Sequence, residues 1–227
     1  MQRLLQAAPE LGSSCERVDL QLGPWSSPDG MADDGLYFPE TGLLALSLPS
    51  AAGGSSAPFS ARLVLLGCHS VWSPWQAQDS DFLARVIVPG HTMRVSEAVV
   101  RAVEMPLANW WLQVAASNQH LIAQMARMAL CTQNHSAPQS LASWLLTAQH
   151  NSGVTPLQMP MVVLRDGLGW APDAWQSAWD ALESQGAVAQ VGQGASAKIQ
   201  IKDLDGLSGL ACGCHPMTPL HDPGQGS

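Results

Sequence analysis

Five cysteines and seven histidines are the side chains of this 227-residue sequence whose placement bears most directly on chemistry. Cys131 and His135 stand four apart, one turn of a helix, and Cys212, Cys214 and His215 cluster near the end. Together they are enough soft ligands for a tetrahedral zinc ion. The Cys-x-Cys spacing is tighter than the usual two-residue gap of zinc motifs, however, and a buried cysteine also serves as a small hydrophobe. On spacing alone, no metal and no cofactor is assigned. His69, His91 and His120 each have the chemistry of a haem axial ligand, but a lone histidine is more often an ordinary surface or hydrogen-bonded residue. Arg85 carries a guanidinium that suits a phosphate; its plainer role is a strand-edge side chain with its head in solvent.

No nucleophile elbow, phosphate loop or His-Glu-x-x-His pattern occurs, so no catalytic residue is assigned and an enzyme is not expected. The turn around Gly192 and Gly194 joins two expected strands and opens no helix, which removes it as a phosphate cradle. Hydrophobic residues make up 46% of the chain and charged ones 12%, the composition of a core-forming protein. A net charge of -8 disfavours nonspecific attraction to nucleic acid or anionic lipid. The cysteines are odd in number and scattered, unlike a disulfide framework, so reduced thiols are expected. With no signal-like start and no membrane-length apolar run, the expected setting is cytoplasmic, without a membrane partner.

The elements that must position these residues change period near Glu104. Before it lie short extended pieces, Arg17 to Leu22, Gly35 to Phe38, Gly42 to Leu48, Ala61 to Leu66 and Phe82 to Val88, separated by Gly-, Pro-, Ser- and Asp-rich turns. They suggest a small antiparallel barrel or sandwich, preceded by an amphipathic turn or two at Leu4, Leu5 and Ala8. After Pro106, no Pro or Gly appears until Pro138, which predicts a long helix. Leu107, Trp111, Val114, Asn118, Leu121, Met125 and Met128 follow steps of 4, 3, 4, 3, 4 and 3, a heptad seam expected to form a homodimer. The lone Asn118 would fix its register; the alternative is a helix lying on its own barrel. A second helix follows Pro138, then two short helices over Met161 to Gly167 and Pro172 to Ser184, and a hairpin of Ala187 to Val191 with Lys198 to Ile201. This is the order of a winged helix-turn-helix.

Three stretches in that order carry a resemblance: Tyr37-Phe38-Pro39-Glu40-Thr41-Gly42; Cys131 to Ser136 followed by Ala142-Ser143-Trp144-Leu145-Leu146; and Leu168-Gly169-Trp170 through Ala181 to Val188. With Asp205-Gly206-Leu207 and Cys212-Gly213-Cys214 at the close, the chain from about Leu4 to Cys214 resembles the Crp/Fnr superfamily of bacterial transcription regulators. The resemblance implies an α+β protein. Residues 1–103 would form a cyclic-nucleotide-binding-like β-roll or jelly-roll sensor, 104–136 a dimerisation helix, 137–208 a winged helix-turn-helix and 209–227 a C-terminal tail.

Departures from the family pattern narrow the expectation. The region from Gly67-Cys68-His69 to Arg85 lacks the Gly-Glu turn and the Arg with small hydroxyl residues that hold a cyclic phosphate, so cyclic AMP is not expected and the effector is unknown. Cys15 alone stands where oxygen sensors carry a ligating cluster. The resemblance places DNA contacts at Gln176, Ser177, Lys198 and Lys202. Yet the recognition helix has no cation, and from residue 137 to 227 three cations (Arg165, Lys198, Lys202) face seven acids, a balance of -4. The expectation is a dimeric regulator with atypical or weakened DNA binding. The alternatives are a relative acting through another regulatory protein, and a small-molecule sensor with a ligand between Trp72 and Trp75.

Overall fold

A computed structural model describes residues 14–25, 35–47, 64–73, 83–96, 98–99 and 107–214. The expected turn at Leu4 to Ala8 and the side chain of Trp75 lie outside these residues. Strands β1 (Glu16–Leu20), β2 (Gly23–Pro24), β3 (Gly35–Ser47), β4 (Val64–Leu66) and β5 (Leu83–Ser96) form one antiparallel sheet of order β1-β5-β3-β4, with β2 also paired to β5. This antiparallel sheet is the part of the expected β-roll that the described strands establish.

Two strands run longer than their sequences suggest. The expected pieces Gly35 to Phe38 and Gly42 to Leu48 are one 13-residue strand, and β5 continues through Pro89 and Gly90 for 14 residues. Pro and Gly ordinarily end strands, but here they bend a pair that stays joined. The β3–β5 register shifts three times between Pro39 and Leu44. Gly42 there has φ 90°, and a Cβ on it would sit 2.8 Å from the Val88 carbonyl; a Cβ on Gly90 would collide with the Thr41 carbonyl. The glycines let two backbones touch where the ladder is bulged.

Helix α1 (Leu107–Asn134) has one face on its own chain. Val114 packs with Phe38 and Val95, Leu121 with Tyr37, Leu44 and Leu66, and Met128 with the large core beyond. Ser117, Gln124 and Cys131 complete that stripe, all buried, so its steps run 3, 4, 3, 4 and 3. The two polar members are anchors. Ser117 Oγ accepts from the Val71 N–H at 2.8 Å, and the Gln124 amide, oriented to suit its neighbours, donates to the Leu65 carbonyl and accepts from its N–H, each at 3.1 Å. Because β4 is the edge of the sheet among the described strands, Gln124 supplies backbone pairing on its open side.

Helix α2 (Ala137–Ser152) starts where the Ser136 N–H donates to Gln139 Oε1 and Pro138 occupies the first turn; Gly153 ends it at φ 61°. Its faces bury Leu141, Ala142, Trp144, Leu145 and Ala148 in a core that also holds Leu43, Leu65 and Ile87 of the sheet and Leu164, Trp179 and Ile199 further on. One apolar cluster therefore joins the sheet to the C-terminal elements. The joint is sealed by the Cys68 N–H donating to the Asn151 carbonyl at 2.8 Å. Beside it the His69 ring stacks on His150 with centroids 4.8 Å apart and meets His120 of α1 edge-on at 6.3 Å.

The remaining elements are β6 (Gln158–Pro160), α3 (Met161–Leu168), α4 (Pro172–Ser184), β7 (Val188–Val191), β8 (Lys198–Ile201) and α5 (Leu204–Leu210). β6 and α5 add to the expected elements. β6 joins the hairpin to make a sheet of order β6-β8-β7, and Asp203 caps α5 by accepting from the Asp205 N–H at 3.1 Å.

The joint between sheet and helices can be probed at two positions. A Cβ on Gly67 would run into the Asn151 carbonyl, so Gly67→Ala is expected to destabilise the chain by about 2 kcal/mol in urea unfolding. Burial lowers the His120 pKa from its ordinary 6.5, helped by His150 and Arg127. The unfolded chain then binds the proton more readily, so this contribution to stability is full above pH 6.5 and declines as pH falls through that value. His120→Gln should flatten the fall in stability measured between about pH 7.5 and about pH 5.5; an unchanged slope would contradict the assignment.

Candidate functional site

α3 and α4 are joined by Gly169, Trp170 and Ala171. Gly169 adopts φ 62°, a left-handed geometry that favours glycine, and so turns the chain sharply. Pro172 then opens α4, and the Trp175 N–H reaches back to the Ala171 carbonyl at 3.0 Å. Trp175, Ala178, Trp179 and Leu182 are buried at helical spacing, and the two indoles stack with centroids 6.3 Å apart. Both tryptophans are therefore core, leaving neither as an exposed protein-binding aromatic.

Burying that stripe turns the opposite face of α4 to solvent. Asp173, Gln176, Ser177, Asp180 and Glu183 are all exposed. Their interactions are local: Gln176 Nε2 donates to Asp180 Oδ1 at 2.7 Å, and Trp179 Nε1 donates to Glu183 Oε2 at 3.1 Å. The amide best suited to reading a base edge is thus held by a carboxylate on its own helix. Asp173 in the first turn complements the helix dipole and opposes an incoming phosphate.

The predicted cations come from a different element. Lys198 opens β8, opposite both Pro160 and Val191, and is exposed; Lys202 follows the strand with its Nζ 3.4 Å from Gln200 Oε1. Arg165 of α3 is bound to Asp166, Nε to Oδ1, at 3.0 Å. The face therefore presents two lysines beside the hairpin and a helix with carboxylates and no cation.

The predicted seam on α1 is divided between two faces. Val114, Leu121 and Met128 pack within the chain, whereas Asn118 is exposed and Met125 is 47% exposed. Leu107 and Trp111 belong to the helix, but their side chains lie outside the described residues. The outward apolar positions are instead Leu112, Ile122, Met125 and Leu130. Ala115, Asn118, Ile122, Met125, Ala129 and Thr132 again step by 3, 4, 3, 4 and 3 on this side. The intrachain face was hidden in the sequence because Ser117 and Gln124 are polar.

In the N-terminal sheet, Trp72 is 7% exposed and packs edge-on to Trp25 at 4.8 Å, while Trp25 meets Tyr37 at 5.0 Å. These three rings pack on one another; Trp75, the other side of the expected ligand space, lies outside the described residues. His91 lies apart from His69 and His120, held by Thr41 Oγ1 at 2.7 Å and by Glu40 at 3.2 Å. Arg85 pairs with Pro24 and Ala45 in the ladder. Cys131, Cys212 and Cys214 form a group with metal-binding chemistry, their Sγ atoms all within 4.8 Å of one another. Burial pushes the Cys131 thiol well up, reinforced by the other two. At Cys212 burial also acts upward, but the Ser143 hydroxyl and the Cys214 backbone outweigh it and leave that thiol below its ordinary range.

No protein-family model matches the chain, and no curated protein matches its sequence significantly. Solved structures do. A transcriptional regulator of the CRP/FNR family from Thermus thermophilus superposes with a TM-score of 0.57 at 17% identity, covering 86% of this chain and 97% of that one. FixK2 from Bradyrhizobium japonicum gives 0.53 at 16% identity over 87% and 98%, and a CooA variant from Carboxydothermus hydrogenoformans gives 0.54 at 10% over 91% and 93%. No described helix is long and apolar enough to cross a membrane. Over most of its length, the chain has the fold of CRP/FNR-family transcription regulators.

Proposed function

We propose that this protein is a dimeric transcription regulator of the Crp/Fnr kind whose DNA binding is weak or partner-assisted and which lacks a standard cyclic-AMP site. Its working parts would be a sensor over residues 1–103, a dimerisation helix over 104–136 and a winged helix-turn-helix over 137–208, followed by the tail 209–227. The fold likeness favours a regulator, and a fold alone does not establish an activity. The observation that carries the weakened output is the solvent face of α4, where Gln176 is bound to Asp180 between further exposed carboxylates. Such a face approaches a polyanion against its own field. The cyclic-nucleotide reading is disfavoured because Gly67 and Cys68, in the stretch where the phosphate turn would lie, are packed on the end of α2.

The same acidic face favours a second reading, in which the output is contact with another regulatory protein that supplies the cations. Genome-wide capture of DNA by the purified protein, at low and at physiological salt, separates the two. The proposal expects capture at low salt that fades at physiological salt. Tight sequence-specific capture at both would overturn the weakened-binding claim, and no capture at either would favour the protein-partner reading.

Dimerisation is expected through the outward stripe of α1. Ile122 is 66% exposed, so Ile122→Asp should dissociate the dimer in light scattering while leaving helical content intact. Leu121→Asp, aimed at the face that packs on Tyr37 and Leu66, should instead lower unfolding stability. A wild-type monomer at micromolar concentration would contradict the seam.

A further inference from the structure

The C-terminal turn of α1 and the segment after α5 come together in a way the spacing of their residues does not reveal. Cys131 lies in the last turns of α1, and the His135 N–H still bonds to the Cys131 carbonyl at 3.1 Å, so the helical geometry carries both side chains to the same side. Cys212 and Cys214 arrive from 81 and 79 residues away in sequence. Cys131 Sγ stands 3.3 Å from Cys212 Sγ, and Cys214 Sγ stands 3.3 Å from His135 Nε2. Cys131 and Cys212 are buried, while Cys214 and His135 are half-buried.

From this juxtaposition we propose that Cys131, His135, Cys212 and Cys214 bind one tetrahedral divalent metal ion, best matched by Zn2+. This inference goes beyond the regulatory reading and does not depend on it. Ligands about 2.3 Å from a zinc centre lie about 3.8 Å from one another. The sulfurs, all within 4.8 Å and as close as 3.3 Å, bracket that edge length. An iron-sulfur cluster spreads its thiolates around several irons and needs a wider ring. Three thiolates and one imidazole are a structural zinc set with no open position, and soft sulfur ligands select zinc over the harder divalent cations.

The surroundings suit such an ion. Ser143 fixes the Cys212 loop three ways: its Oγ accepts from the Cys212 N–H at 3.0 Å, lies 3.2 Å from the Cys212 carbonyl and contacts Cys212 Sγ at 2.9 Å. Ser140 Oγ donates to the Cys131 carbonyl at 3.2 Å, holding the end of α1 against α2. Arg127 lines the cleft shared with Cys131 and Cys214. Binding is balanced when three thiols lose their protons to solvent and the neutral imidazole gives its lone pair, so a dication yields a site of net charge -1. The ion would tie the far end of the dimerisation helix to the segment that follows the hairpin module.

The test uses the full-length protein kept reduced with a phosphine. Zn2+ is added, excess is removed by gel filtration and metal is counted by mass spectrometry; Co2+ is then substituted as a spectroscopic probe. The proposal expects one Zn2+ per chain, tetrahedral ligand-field bands with thiolate-to-cobalt charge transfer, and release of about three protons per Zn2+ near neutral pH. Cys214→Ser and His135→Gln should each weaken Zn2+ binding at least tenfold, with Cys68→Ala as a control at wild-type affinity. Substoichiometric zinc, an octahedral cobalt spectrum, or unchanged affinity in Cys214→Ser would overturn it. The wild-type stoichiometry and spectrum decide the matter even where a variant fails to fold.

Discussion

Two buried polar side chains one heptad apart, Ser117 and Gln124, fix how this protein is built. Each bonds the backbone at the edge of the N-terminal sheet, Ser117 to Val71 and Gln124 to both polar groups of Leu65. A buried amide or hydroxyl is costly unless paired, so helix α1 can dock on the sheet in only one rotation and one register. That rotation turns Leu121 and Met128 inward and leaves Ile122 and Met125 outward. It also brings Cys131 and His135 to the side where the chain later returns.

The same docking explains how much of the architecture is legible in the sequence. Helix positions, the hairpin and the change from period two to period 3.6 near Glu104 follow from local rules of turns and apolar spacing, and α1, α3, α4, β7 and β8 lie close to their expected bounds. Which face of α1 packs on its own chain does not follow, because hydropathy gives no credit to Ser117 or Gln124, whose partners are backbone groups some 46 and 59 residues away. The continuation of β5 through Pro89-Gly90 was hidden for a similar reason: the dipeptide reads as a break until the facing bulge in β3 is known.

On α4 and the hairpin, the shortage of cations is already visible in the charge count along the chain. What it lacks is the coupling between residues: Gln176 looks free in sequence and is bound to Asp180, and Trp175 is undecided in sequence and buried in the fold. The cysteines are the reverse case. Cys131 with Cys212 and Cys214 offers no familiar spacing, and only the packing of the segment after α5 against α1 assembles the group. Long-range placement of this kind leaves almost no trace in local pattern.

Under the proposed function, the few cations of the α4 and hairpin surface give binding to duplex DNA only a shallow dependence on salt. The slope of log affinity against log salt for a random-sequence duplex measures that charge most directly. Lys198 and Lys202, doubled in a dimer, neutralise at most four phosphates, so the slope is expected to be no steeper than about -4. A slope of about -6 or steeper, with nanomolar affinity at physiological salt, would contradict a cation-poor output face.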